Sequence, residues 1–398
     1  KQIENDYETA QRDLRKMLNE SVKLRMESAD VPVATFLSGG IDSSIVTALA
    51  AQGSGTAISA YSLSFPNEPD FDESHYARLL ADKYANVNHR VIEADEQCIL
   101  EYAEGFLSNL GEPYADASIL PTGFLSSHVE EKVVLGGDGA DEVFAGYGVY
   151  QAMRISTALP EALRHLFSLV PPVKNPAAIG VPLLRGLALL HRHIKPSSID
   201  SYLSWRSYTD AEWFEAFGFN DKGMEVVKAR LEDICFDTLR GVQVADMMFN
   251  LPNDMLRKVD YASMAHGLEV RLPFLDSKLV HWALRQPEVF RMKGKVRKRI
   301  LKDAFGDILP NELINRRKQG FLLPLRNWFK SGQVNLNLRD LLDGQDRFSK
   351  KTVIALLKLH ESGRADYSVL LWALYVYLIW HKSLELLRNR KPPTLISS

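Results

Sequence analysis

VPVATFLSGGIDSSIVTALAA, residues 31–51, decides how this chain folds. The apolar run 31–37 reads as a buried strand that stops abruptly at Ser38-Gly39-Gly40, and the breaker-free stretch from Ile41 to Ala51 reads as a helix. A strand that turns into a helix through two glycines lets successive backbone N–H groups point at one anion. The helix start adds the positive end of its dipole and unpaired donors, and Ser38, Ser43 and Ser44 add hydroxyls. The Gly-Lys-Ser/Thr ending of a Walker A loop is missing. With no lysine in the loop, a leaving pyrophosphate fits better than a transferred γ-phosphate. Asp42 would repel a phosphate unless a metal lay between them, which makes it a natural Mg2+ ligand. The competing reading is a glycine turn with a serine N-cap.

Working outward, residues 7–28 carry a helical apolar stripe of Leu14, Met17, Leu18, Val22 and Leu24. Further strands are expected at 58–65, 89–94 and 132–137, with a helix capped by Asp72 and Glu73 that ends near Ala85. Strands alternating with helices predict a parallel α/β sheet covered on both faces. After Tyr150 strand signals fade, Pro171, Pro172, Pro176 and Pro182 separate leucine-rich helical pieces, and helical periodicity dominates from about Gly241. The expected division is an α/β nucleotide-binding part over 1–150, a helical segment over 151–240, and a helical part over 241–398 that completes the site.

A second strand-end loop, Gly136-Gly137-Asp138-Gly139-Ala140-Asp141-Glu142, places three carboxylates within five residues. Such crowding is costly unless something cationic sits there. A metal bridging to a triphosphate accounts for it, with Asp141 the preferred ligand; a solvated acidic turn capping the next helix is the alternative. Further on, Asp254 and Arg257 stand three apart on a helix and share a face. They could meet a substrate or serve structure alone, and Glu269 with Arg271 reads as an internal ion pair. Lys293, Lys295, Arg297, Lys298, Arg299 and Lys302, then Arg316-Arg317-Lys318, form the one cationic concentration. A nucleic-acid patch is one reading. The other starts from two like charges about 4 Å apart, which repel by roughly 4 kcal/mol at a dielectric near 20. A carboxylate attacking a phosphate therefore needs cations nearby, and these lysines could supply them.

Composition narrows the classes. The chain has 398 residues, 46% hydrophobic and 25% charged, as in an ordinary globular protein large enough for a sizeable core. A formal charge of −2 argues against a nucleic-acid wrap or a membrane-surface protein, although a local basic patch stays open. Cys98 and Cys235 form no CxxC pair, which excludes a disulfide scaffold and a Cys-type zinc site and fits a reducing compartment. No secretory signal is visible at the charged start, and the apolar run Val369 to Trp380 is short for a bilayer span. The chain opens at Lys1, which suggests a fragment of a longer polypeptide.

SGGIDSS (38–44), GGDGADEVFAGY (136–147), LPNDMLRKVDYASMAHGLEVRLPFLD (251–276) and RRKQGF (316–321) together resemble the C-terminal synthetase domain of glutamine-dependent asparagine synthetases. They occur in that family's order over about residues 10–385. The resemblance implies a doubly wound parallel sheet of the PP-loop ATP pyrophosphatase (adenine nucleotide alpha hydrolase-like) type, with a largely helical C-terminal half. It implies ATP contacts at Leu37, Ser38, Gly39, Gly40, Asp42, Ser43, Ser44, Leu63, Gly136 and Gly137. Mg2+ carboxylates are implied at Asp42 and Asp141, and a catalytic set at Lys318, Lys298, Asp138, Glu142, Asp254 and Arg257. The family often has Glu where this chain has Asp138. The implied reaction activates a carboxylate, foremost the β-carboxylate of aspartate, as an acyl-AMP with release of pyrophosphate, then amidates it with ammonia.

The family's leading glutaminase domain, with its nucleophilic cysteine, does not precede Lys1, so ammonia would come free or from such a domain. A cytoplasmic enzyme is expected, with no nucleic-acid or membrane partner and a homodimer allowed for. The alternatives are amide ligases acting on other carboxylates, of β-lactam synthetase-like or cell-envelope-precursor type, or a catalytically silent nucleotide-binding module. A tRNA-modifying or GMP-synthetase-like protein would lack the EVRLPFLD and RRKQGF strings.

Overall fold

The computed structural model describes residues 6–173, 179–207, 213, 217, 222–316 and 323–389. Among these, five strands form one sheet: β1 (Val33–Phe36), β2 (Ile58–Ser64), β3 (Val87–Glu93), β4 (Val133–Leu135) and β5 (Glu269–Arg271). Their order is β3-β2-β1-β4-β5 and every pair is parallel. Thr35 lies opposite Ala60, Val33 opposite Val133 and Val133 opposite Glu269.

Parallel neighbours cannot be joined by a tight turn, so helices make the connections. After α1 (Tyr7–Glu27), α2 (Ile41–Gly53) links β1 to β2 and α3 (Ser74–Lys83) links β2 to β3. The chain then returns through α4 (Glu96–Ser108) and α5 (Ile119–Ser126) to lay β4 on the other side of β1. That reversal makes the tips of β1 and β4 the switch point of the sheet, where an open α/β fold leaves a crevice.

Alternation along the strands feeds two cores. Ala34, Tyr61 and Val134 join Ile99, Leu120, Trp328, Phe329 and Trp372 on one face. Leu37, Ala60 and Leu135 join Leu14, Leu18, Ile45, Phe274 and Phe305 on the other. The α1 stripe is buried at Leu14, Leu18 and Val22, whereas Leu24 is exposed.

Beyond β4 lie α6 (Ala140–Phe144), α7 (Gly148–Thr157), α8 (Glu161–Ser168) and α9 (Pro182–His193). A third apolar cluster, with Tyr150, Met153, Tyr202, Leu231 and Leu239, serves this helical region. One helix of the described residues, Ser368–Arg388, is long and apolar enough by length and composition to cross a membrane. Its Leu371, Trp372, Tyr375 and Val376 are buried in the first core.

Two local readings change. Residues 269–271, inside a stretch read as helical, form β5 on the sheet edge. At the start of α3 Glu73 holds the N-cap position without a side-chain bond, Asp72 accepts from the Ser74 N–H at 2.8 Å, and the helix ends at Lys83. Glu73 instead pairs with Arg316.

Candidate active site

The two glycine loops meet at the switch point. A Cβ placed on Gly137 would lie 2.7 Å from the Ser43 backbone nitrogen, so only glycine lets the β4 loop lie against the start of α2. Gly39 adopts φ +73°, and a Cβ there would lie 2.8 Å from the Glu73 carbonyl oxygen. The β1 loop is thus held open-mouthed by a residue that pays little for the left-handed region.

Gly40 is the N-cap of α2 and supplies no side-chain capping bond. A helix start of this kind turns backbone N–H groups and the positive end of its dipole toward the loop mouth. Ser38 and Ser43 sit around this opening with their hydroxyl oxygens 3.0 Å apart, and Ser43 Oγ donates to the Gly40 carbonyl at 3.2 Å.

Lys298 joins the two loops. Its Nζ is 2.5 Å from Asp42 Oδ2 and 2.7 Å from Asp141 Oδ1, and its side chain is only 6% exposed. Burial works against the ammonium, but Asp141 and then Asp42 hold its pKa above the usual lysine value. Lys298 has φ 51° at the head of the helix Arg299–Phe305, and Ala145 beside the cleft has φ 56°. Left-handed non-glycine residues cost of order 1–3 kcal/mol each and persist where the surroundings over-determine them.

The cavity has a volume of about 580 Å³ and is walled by both loops, the basic segment and the helices after residue 246. Leu37, Ser38, Gly40, Asp42, Ser43, Leu63, Gly137, Asp138, Asp141, Glu142, Asp254 and Lys298 all line it. Gly39, Ser44 and Gly136 support the loops without reaching the lining; Ser44 is wholly buried. Arg257 lies off the lining and pairs with Glu112 at 2.7 Å on a half-exposed surface. Lys318 falls outside the described residues. From the basic segment, Lys295, Arg297, Lys302 and Arg316 reach the wall beside Lys298.

Asp254 owes its position to a π-helical stretch, Asp246–Met255, with Pro252 inside it. Proline removes an α-helical hydrogen bond, and the widened turn absorbs the defect. Tyr114 OH donates to Asp254 Oδ1 at 2.6 Å. Burial, with Asp116 adding to it, nonetheless raises the Asp254 pKa. Glu142 is 1% exposed and its carboxyl is pushed up to about 7 by burial and by neighbouring Asp141. Its Oε1 accepts from Tyr147 OH at 2.8 Å while Oε2 has no hydrogen-bond partner.

Two basic lining residues escaped the sequence reading. Lys258 is buried, and the hydrogen bond its Nζ makes is a long one of 3.8 Å to Met255 Sδ. Burial opposes its charge, yet Asp116, Asp138, Asp254 and Glu142 hold its pKa above the usual value. The signal was available: Lys258 stands four residues after Asp254, the spacing that puts two residues on one helical face. Arg206 lines the cavity, pairs with the fully buried Asp246, and lies 5.6 Å over the Tyr147 ring. Nothing in its local sequence marks it.

The donor chemistry bears on a metal. Asp42 and Asp141 bring two carboxylates to opposite sides of one cation, and hard oxygen ligands of this kind suit Mg2+, which uses one or two carboxylates with substrate phosphates. No cluster of three or more His, Cys, Asp or Glu occurs among the described residues, so a metal held by protein groups alone is not what this site offers.

Comparison with known proteins gives the family. The family model described as asparagine synthase matches residues 13–382. Asparagine synthetase (glutamine-hydrolysing) 1 of Bacillus subtilis (strain 168) is 27% identical over 398 residues, covering 96% of this chain and 60% of that protein. A Mycobacterium tuberculosis (strain ATCC 25618 / H37Rv) protein, provisionally named asparagine synthetase (glutamine-hydrolysing), is 32% identical over 394 residues, covering 95% of this chain and 59% of that protein. Amidase chyE of Penicillium rubens is 27% identical over 373 residues, covering 83% and 54%. The chain therefore spans about three-fifths, or less, of the length of these relatives.

Proposed function

The chain belongs to the asparagine synthase family, and from that premise we propose that it makes amides with ATP, activating a carboxylate as an acyl-adenylate and transferring it to ammonia. The observation that carries the reading is the Lys298 ammonium buried between Asp42 and Asp141, one from each strand-tip loop. A site that clamps a cation between two carboxylates beside an uncapped helix start suits a chain of phosphates and its counter-charges.

In the proposed reaction a carboxylate oxygen bonds to the α-phosphorus of ATP, and the bond to the bridging oxygen breaks to release pyrophosphate. Ammonia then adds to the acyl carbon, AMP leaves, and one proton is lost to give the neutral amide. The N–H groups at the head of α2 and the hydroxyls of Ser38 and Ser43 receive the departing pyrophosphate. Asp42 and Asp141 would hold Mg2+, which when bound neutralises phosphate charge. Lys298, with Lys302 and Arg316 on the same wall, adds positive charge where two anions must approach. Lys258 offers an ammonium to the acceptor's carboxylate, and Asp138 and Asp254 offer negative charge to an acceptor's amino group. Both charge types on one wall favour an amino-acid acceptor, foremost the β-carboxylate of aspartate. Ammonia would derive from glutamine through a glutaminase domain in the longer protein, and a cytoplasmic location accords with that supply.

The test is AMP and pyrophosphate production with ammonia across a panel of amino-acid and peptide carboxylates. Aspartate is expected to give asparagine with one AMP per amide. ADP and phosphate as products, or no carboxylate-dependent turnover, would overturn the reading.

A further inference from the structure

The helical segment 151–240 meets the cavity at a single side chain. Among its described residues, Arg206 is the one that reaches the lining. It ends α10 (Ser198–Arg206), a helix held from behind by Tyr202 and Leu203, both buried in the third apolar cluster. The guanidinium lies 5.6 Å over the Tyr147 ring and 5.7 Å over the Tyr202 ring. Its Nη2 donates to Asp246 Oδ2, while Asp246 Oδ1 accepts from Tyr202 OH at 2.7 Å. Rings and carboxylate together fix the plane of the group as well as its place.

Asp246 leaves part of this fork unused. A guanidinium carries five N–H donors, and the Nε of Arg206 is buried without a hydrogen-bond partner. Unpaired buried donors are rare because they cost free energy, and an internal ion pair alone would need no place on the lining. The neighbouring groups indicate what the fork is for. Burial and Asp116 raise the Asp254 pKa, and Lys258 and Arg206 both oppose that rise, so Asp254 stands within reach of two cations. Lys258 is a point charge, whereas Arg206 presents the planar geometry that holds a carboxylate in a fixed orientation. An α-amino acid complements an acid and a guanidinium side by side, since it carries an ammonium and a carboxylate on one carbon. We propose that Arg206 determines specificity, holding the acceptor's second, non-reacting carboxylate while Asp254 takes its amino group. The site then selects free α-amino acids over acceptors whose α-carboxylate is amidated. This inference rests on the proposed amide synthesis and names the acceptor class within it.

The test is steady-state AMP formation by the 398-residue chain with ammonia and Mg-ATP, comparing L-aspartate with its α-amide. The parent is expected to favour aspartate by about 100-fold in kcat/KM, the scale of one enclosed charge pair lost. Arg206→Met is expected to bring that ratio below about threefold, chiefly by raising KM for aspartate. A general loss of packing or catalysis acts on both acceptors and cancels in the ratio. Should Arg206→Met unfold the chain by leaving Asp246 unpaired, Arg206→Lys keeps a charge beside Asp246 and loses the fork. Its ratio is expected to fall about tenfold from the parent's. Equal use of both acceptors by the parent, or a variant that keeps the parent's ratio, overturns this inference and leaves the proposed reaction standing. So does turnover confined to acceptors with a single carboxylate. No carboxylate-dependent AMP formation with any acceptor overturns the proposed reaction, and this inference with it.

Discussion

The cleft at the switch point and the α8–α9 hairpin break the same rule in opposite directions. In the cleft, charge is inside: Lys298 is 5% exposed and Lys258 8%, each among carboxylates. In the hairpin, leucine is outside, with Leu183 72% exposed. Buried charge and exposed apolar surface are the two informative departures from ordinary partition. Their causes differ. The cleft satisfies its cations internally, through Asp42 and Asp141, whereas the described structure leaves the hairpin's Leu163, Leu166, Leu183, Leu184 and Leu187 44% to 72% exposed. One region is complete in charge and awaits a ligand that redistributes it; the other is incomplete in packing.

Breaking the buried pairing should have the largest effect. Lys298→Met leaves Asp42 and Asp141 facing each other, and removing one partner of a buried pair costs about 3–5 kcal/mol. Urea denaturation should show that loss, and carboxylate-dependent ATP–pyrophosphate exchange should fall by roughly 1,000-fold. Adding Asp141→Asn to the Lys298→Met variant should restore part of the stability but none of the exchange; full exchange in the double variant would detach Lys298 from the chemistry.

Lys258→Met should lower kcat/KM for the carboxylate by about 100-fold, the scale of one lost charged donor in an enclosed site. Steady-state kinetics would check it, and a variant within twofold of the parent would make Lys258 structural. Gly137→Ala presses a methyl toward the Ser43 nitrogen and should weaken ATP binding by about 10-fold or more, as overpacking costs around 1–3 kcal/mol. Titration calorimetry measures this directly. The α8–α9 region should give the smallest response: Leu166→Glu/Leu184→Glu/Leu187→Glu, at positions 61%, 53% and 54% exposed, should leave stability within about 0.5 kcal/mol and exchange within about twofold, as surface substitutions do. A large destabilisation would show that the leucines hold the fold, and the contrast between the regions would vanish.

What the sequence disclosed, and what it withheld, follows the range of the interactions. The β1 and β4 loops were readable because a strand, a glycine turn and a helix start are consecutive in the chain, and both stand at the switch point as the motifs required. β5 was not readable. It is three residues long, lies at the sheet edge, and carries the Glu269–Arg271 pair at 2.8 Å, so no apolar alternation announced it. The pairing of Lys298 with Asp42 and Asp141 was invisible for another reason: the basic segment offers several cations, and only tertiary packing selects one for the gap. Arg206 likewise draws its meaning from Asp246, forty residues away. Asp254 was noticed as a helical charge, but the π-helical turn around Pro252 that aims it at the cavity cannot be read from spacing.

The Lys298–Asp42 contact joins residues 256 positions apart, and this bears on how the molecule is made. A chain growing from its N-terminus at about 5–20 residues per second exposes Asp141 roughly 8–30 s before Lys298 leaves the ribosome. Throughout that interval the nascent sheet holds an acidic mouth without its internal counter-ion. Dissolved cations must screen the two aspartates until the lysine arrives, so ribosome-bound chains arrested before residue 298 should be more readily proteolysed in low-salt, chelator-treated buffer, where the full-length chain should not.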